Sequence, residues 1–113
     1  MSTMLAALIV VAIGRDSCNS GEEACFANTG ALGNDSCYGP ESCAANTGKV
    51  GNHSCHTGFD ACSVNSGTVR NRSCNQLRAC PRNSGHIGNK SCNAELACPD
   101  NDSTTIWCST RMC

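Results

Sequence analysis

From Gly14 onward the chain repeats itself every 18 or 19 residues. Five units follow one another: GRDSCNSGEEACFANTGAL (14–32), GNDSCYGPESCAANTGKV (33–50), GNHSCHTGFDACSVNSGTV (51–69), RNRSCNQLRACPRNSGHI (70–87) and GNKSCNAELACPDNDSTTI (88–106). Their shared pattern is G-N-x-S-C, a short gap, then C-x-x-N-[ST]-G-x-[LVI]. Helical repeats need roughly thirty or more residues and a Leu/Ala stripe. A unit this short, rich in Gly, Asn, Ser and Thr, instead fits one coil of a β-solenoid. The expected fold class is all-β: a disulfide-stapled β-solenoid (β-helix) of five coils.

Alternation within each unit indicates which residues face inward. Asn28, Gly30, Leu32, Asn34 and Ser36 share one parity, and their columns stay nearly constant. The opposite parity is variable and charged: one column reads Ala31, Lys49, Thr68, His86, and another Asp16, Asp35, His53, Arg72, Lys90. The constant parity is therefore expected inside. Stacked strands lie about 4.8 Å apart. At that spacing Asn28, Asn46, Asn65, Asn83 and Asn101 are expected to form an amide ladder, each hydrogen-bonding its copy one coil on. The glycine columns allow close approach or positive φ at turns. Pro40, Pro81 and Pro99 fall near the second cysteine of a unit, where a turn is expected.

Composition excludes an ordinary core. Leu, Ile, Val and Phe total 16 in 113 residues, and six of them precede Gly14. So few large apolar side chains do not offset the conformational entropy of folding. Twelve cysteines provide the alternative, and they point to an oxidising compartment. Pairing within units uses every cysteine: Cys18 with Cys25, Cys37 with Cys43, Cys55 with Cys62, Cys74 with Cys80, Cys92 with Cys98, and Cys108 with Cys113. Pairing between units strands Cys18. The residue that makes some units longer also falls between the two cysteines, where a closed loop absorbs it and a strand would flip its faces. Metal is the other use of cysteine, but the short C-x2-C spacing of zinc sites is missing. No metal ligand set and no cofactor are expected.

This wording, SC…AC…N-[ST]-G over residues 14–106, resembles the Cys-rich tandem arrays of secreted proteins in algae and oomycetes. The architecture also resembles the disulfide-laced solenoid of beetle antifreeze proteins, whose coils are shorter. The resemblance implies a secreted, cross-linked β-solenoid. Beetle coils carry a Thr-x-Thr column pair, whereas the matching column here reads Thr29, Thr47, Ser66, Ser84, Asp102.

Residues 1–13 lie outside the array, and 107–113 read as a partial terminal coil with a cysteine pair. The apolar run Met4–Ile13 is too short to span a bilayer, so no transmembrane segment is expected. It reads as a secretory signal cleaved after Gly14, as a cap, or as an assembly segment using Leu5, Leu8, Ile9, Val10, Val11 and Ile13. Five N-x-S triplets begin at Asn34, Asn52, Asn71, Asn89 and Asn101 and are candidate acceptors of covalent glycans. Alternation places the first four inward, and Asn101 is expected to be the most exposed.

A net charge of −1 gives no reason to expect nucleic acid as partner. No catalytic constellation stands apart from the array. Ser36, His53, Asp60 and Glu95 are column members or isolated side chains, so an enzyme is not expected. Three readings remain. The first is an extracellular structural protein that self-associates end to end into fibres or a surface layer. The second is a binding module whose flat β-face takes ice, glycan or mineral. The third is a fragment of a longer repeat protein.

Overall fold

A computed structural model of the chain describes residues 12–18 and 23–102. Among the described residues there is no helix, and the strands are short and parallel: β1 (Lys49–Val50), β2 (Thr68–Val69) and β3 (His86–Ile87). They form one sheet in the order β1-β2-β3, with Val50 opposite Val69 and Val69 opposite Ile87. Single parallel bridges carry the row back through Leu32 to Ile13. The chain is thus all-β. Its regular element is the pairing between units rather than the length of any strand.

That pairing recurs beyond the strands. Backbone N–H groups of Thr29, Thr47, Ser66 and Ser84 each donate to the carbonyl of an asparagine in the next unit, Asn46, Asn65, Asn83 and Asn101, at 2.8 Å. On another side, Cys43, Cys62, Cys80 and Cys98 donate back to Ala24, Ser42, Ala61 and Ala79 of the preceding unit at 2.6–2.8 Å. Backbone polar groups that would otherwise be buried unpaired are satisfied by the copy next door.

The interior is narrow. It holds one aliphatic per unit (Leu32, Val50, Val69, Ile87), the cysteines from Cys37 to Cys98, and the alanines Ala61, Ala79 and Ala97. Ile13, in the segment read as outside the array, bridges to Leu32, and Ala12 accepts from the Leu32 N–H at 2.9 Å. The aliphatic row therefore starts before Gly14.

Each unit of 18 or 19 residues carries an unusual backbone. Among the described residues, twenty non-glycine residues have φ between 46° and 61°, in the left-handed region. They fall in four columns, one beginning at each of Asp16, Cys18, Glu23 and Ala27, and repeated in every unit. For an L-residue with a Cβ this conformation costs about 1–2 kcal/mol. None of the described glycines has a positive φ. The sequence left close approach and positive φ open as reasons for the glycine columns, and close approach is the one that applies. A Cβ on Gly48 would meet the Gly67 carbonyl oxygen and, at 2.8 Å, Asn65 Nδ2. Glycine is needed where units touch, and ordinary residues take the corners.

Candidate functional site

Three kinds of repeated feature were picked out from sequence: cysteines, inward asparagines and sequon asparagines. The structure joins Cys18 to Cys25, Cys37 to Cys43, Cys55 to Cys62, Cys74 to Cys80 and Cys92 to Cys98, with Cα–Cα distances of 5.5–5.9 Å. Each bridge closes a loop inside its own unit. Cys108 and Cys113 lie outside the described residues, as do Leu5, Leu8, Ile9, Val10 and Val11. Ile13 is described and is 45% exposed.

Asn28, Asn46, Asn65, Asn83 and Asn101 are all buried. Nδ2 of Asn46, Asn65, Asn83 and Asn101 donates to Oδ1 of the preceding asparagine at 2.7–2.8 Å. Within its own unit, Asn65 also donates to the Gly67 carbonyl at 3.1 Å and accepts from the Gly67 N–H at 3.3 Å. An interior Asn of this row therefore uses both donor hydrogens and both acceptor positions of its amide.

The Ser36 column, also expected inside from alternation, forms a second buried row, whose hydrogen-bonded ladder was not read from the sequence. Ser36, Ser54, Ser73 and Ser91 are 0% exposed. Each of Ser36, Ser54 and Ser73 donates its hydroxyl to a carbonyl of the next unit, Gly51, Arg70 or Gly88, at 2.6–2.7 Å. The same oxygens accept the N–H of the next serine, from Ser54, Ser73 and Ser91, at 3.0–3.3 Å. The signal was the Ser that precedes the first cysteine in every unit.

The sequon asparagines depart from the expectation. Asn52, Asn71 and Asn89 are exposed and Asn34 is half-buried, whereas Asn101 is 8% exposed. Alternation fails here because the next residue in each case (Asp35, His53, Arg72, Lys90) is left-handed. Two consecutive residues therefore point outward at this corner. Oδ1 of Asn34, Asn52, Asn71 and Asn89 accepts a backbone N–H of the preceding unit at 2.7–3.0 Å. Asn101 is instead held in the buried row.

The outer surface is organised by the same left-handed columns. Each stacks one side chain per unit, so residues 18 or 19 apart become neighbours. In one row Arg82 forms two hydrogen bonds to Asp100, Nη2 to Oδ2 at 2.9 Å and Nε to Oδ1. This pairing holds the Asp100 carboxyl below its ordinary range and Arg82 above its own, the shared hydrogen bond contributing most in both. In a second row Arg78 lies 4.0 Å from Asp60 and 5.7 Å from the centre of the Phe59 ring. In the third, His53 Nδ1 is 3.8 Å from Asp35, but the row then continues with two cations, Arg72 and Lys90.

Beside that third row runs a column with Tyr38, His56, Asn75 and Asn93. The Tyr38 and His56 rings stack with centroids 4.6 Å apart. Between the two lies an open groove of about 500 Å³ lined by His53, His56, Thr57, Arg72, Asn75, Lys90 and Asn93. From sequence, His53, Arg72 and Lys90 were placed in a variable exposed column, and Thr57, Asn75 and Asn93 were given no role. On another face Thr29, Thr47, Ser66 and Ser84 form an exposed hydroxyl row. Among the described residues, no group of three or more His, Cys, Asp or Glu side chains is placed to hold a metal ion. No helix among them is long and apolar enough to cross a membrane.

A family profile described as a domain of unknown function, DUF7640, matches residues 16–112, nearly the whole array. The chain belongs to the DUF7640 family. The match spans all five bridged pairs and every Asn of the buried row, so the DUF7640 region is the repeat array itself. No curated protein and no solved structure matches the chain.

Proposed function

We propose that the chain is a secreted structural protein, a disulfide-stapled β-solenoid of five coils that self-assembles end to end into fibres or a surface layer. The observation that carries this reading is the uniform register between units. The same rows of backbone, Asn and Ser hydrogen bonds join every neighbouring pair. A contact built from unit-to-unit bonds has no internal stop, and a head-to-tail contact that does not close extends into a filament. Five disulfides among the described residues fit an oxidising, extracellular compartment. Negative-stain microscopy and sedimentation velocity of the native, unreduced chain test the proposal. Fibres or an ordered series of multimers are expected. Discrete 11.7 kDa monomers at high concentration would overturn it.

A second reading is supported by the exposed hydroxyl row. Thr29, Thr47, Ser66 and Ser84 repeat as exposed hydroxyls once per unit, a regular spacing suited to a regular surface of ice, glycan or mineral. Thermal hysteresis or glycan retention that disappears in Thr47→Lys favours this reading, and the absence of both removes it.

A further inference from the structure

We propose that the groove formed by His53, His56, Arg72, Lys90, Asn75 and Asn93 is a binding site for a phosphate or sulfate group, free or carried as an ester. The three outward left-handed rows differ in charge pattern. Where cations occur in the other two, they face carboxylates one unit away: Arg82 faces Asp100 and Arg78 faces Asp60. The third row breaks this rule. Lys90 follows Arg72 directly, both are exposed, and no carboxylate lines the groove. The Lys90 N–H donates to the Asn71 carbonyl at 2.9 Å, so adjacent units pair at this corner, and two like charges at neighbouring positions repel. Unit 4, residues 70–87, adds to the imbalance with four arginines and no acidic residue. A dianion seated between Arg72 and Lys90 neutralises the pair.

The floor is fixed. Asn75 Nδ2 donates to the His53 carbonyl at 2.9 Å, and Asn93 Nδ2 donates to the Arg72 carbonyl at 2.8 Å. Their Oδ1 atoms accept the N–H groups of His56 and Asn75 at 2.7 and 3.0 Å. These bonds tie the two walls together across units 3, 4 and 5, so the cations stand on a preorganised base. The guanidinium offers a planar fork to two oxygens and the ammonium a point charge, the combination that suits a multi-oxygen anion. His53 and His56 add ring N–H groups at the unit 3 end.

The test is an amide-resolved NMR titration of the intact, disulfide-bonded chain at fixed ionic strength. The probes are inorganic phosphate, inorganic sulfate and glucose 6-phosphate. Saturable shifts are expected at His53, Arg72, Asn75, Lys90 and Asn93. Arg72→Gln and Lys90→Gln should each weaken binding about tenfold, the size expected for one charge-assisted contact, and Arg78→Gln should leave it unchanged. Saturation by glucose 6-phosphate as tight as by the free ions assigns the site to an ester. Saturation by the inorganic ions alone assigns it to the free anion. Shifts that never saturate, or that are equal in wild type, Arg72→Gln and Lys90→Gln, overturn the proposal. A disulfide map and the unperturbed amide spectrum of each variant verify that it is folded.

Discussion

The side-chain amide of Asn65 donates to Asn46 across 2.7 Å and accepts from Asn83 at 2.8 Å. Replacing Asn65 therefore strands two partners at once, in a site with no exposure. Each orphaned buried polar group costs about 1–3 kcal/mol. Asn65→Ala is expected to lose about 3 kcal/mol or more by denaturant unfolding with the bridges intact. Asn65→Asp should lose more at neutral pH, because a carboxylate donates no hydrogen bond and is buried as a charge.

Ser42 occupies a column otherwise filled by Ala24, Ala61, Ala79 and Ala97. Its hydroxyl is buried and has no hydrogen-bond partner. Ser42→Ala removes that defect and restores the column, and should stabilise the chain by about 1 kcal/mol. Equal or lower denaturation midpoints for the variant would contradict this account.

Two opposed substitutions test the division of labour between glycines and corner residues. Gly48→Ala drives a methyl into the Gly67 carbonyl of the next unit and should destabilise by about 2 kcal/mol or more. Val64 is β-branched, left-handed at φ 55° and 52% exposed. Val64→Asn suits that conformation better and should gain about 1 kcal/mol. Thermal melts of the two variants should move in opposite directions.

How much of this was legible follows from which rule governs each residue. The Asn28 column, the Leu32 column and the cysteines were readable because repeated identity at one spacing forces repeated contact. The Asn34 column was misread because period-2 alternation holds only along a strand. The left-handed Asp35 that ends the strand looks like any polar residue. The groove was not legible, since it depends on which variable residues become neighbours when the units stack.

Arg82 and Asp100 make an exposed pair, and its pH behaviour has a definite sign. The hydrogen bond from Arg82 lowers the folded pKa of Asp100 below its unfolded value. The pair's contribution is therefore present at neutral pH, above the unfolded pKa, and is lost as pH falls through the folded value. NMR titration of the Asp100 carboxyl should show its midpoint rise in Arg82→Gln. Added salt should shrink the difference between the two proteins.

The bridges also set how the molecule responds to force. First cysteines of successive units are 19, 18, 19 and 18 residues apart, and the loops that their bridges close span 7, 6, 7 and 6. The covalent path between first cysteines that avoids the loop is thus 12 residues in every case, whatever the length of the unit. Pulled from its ends, an array that peels one unit at a time would lengthen in near-equal steps, each limited to roughly 40 Å of extended chain. The variation in unit length is locked where tension does not pass, leaving a chain of equal load-bearing segments made from unequal repeats.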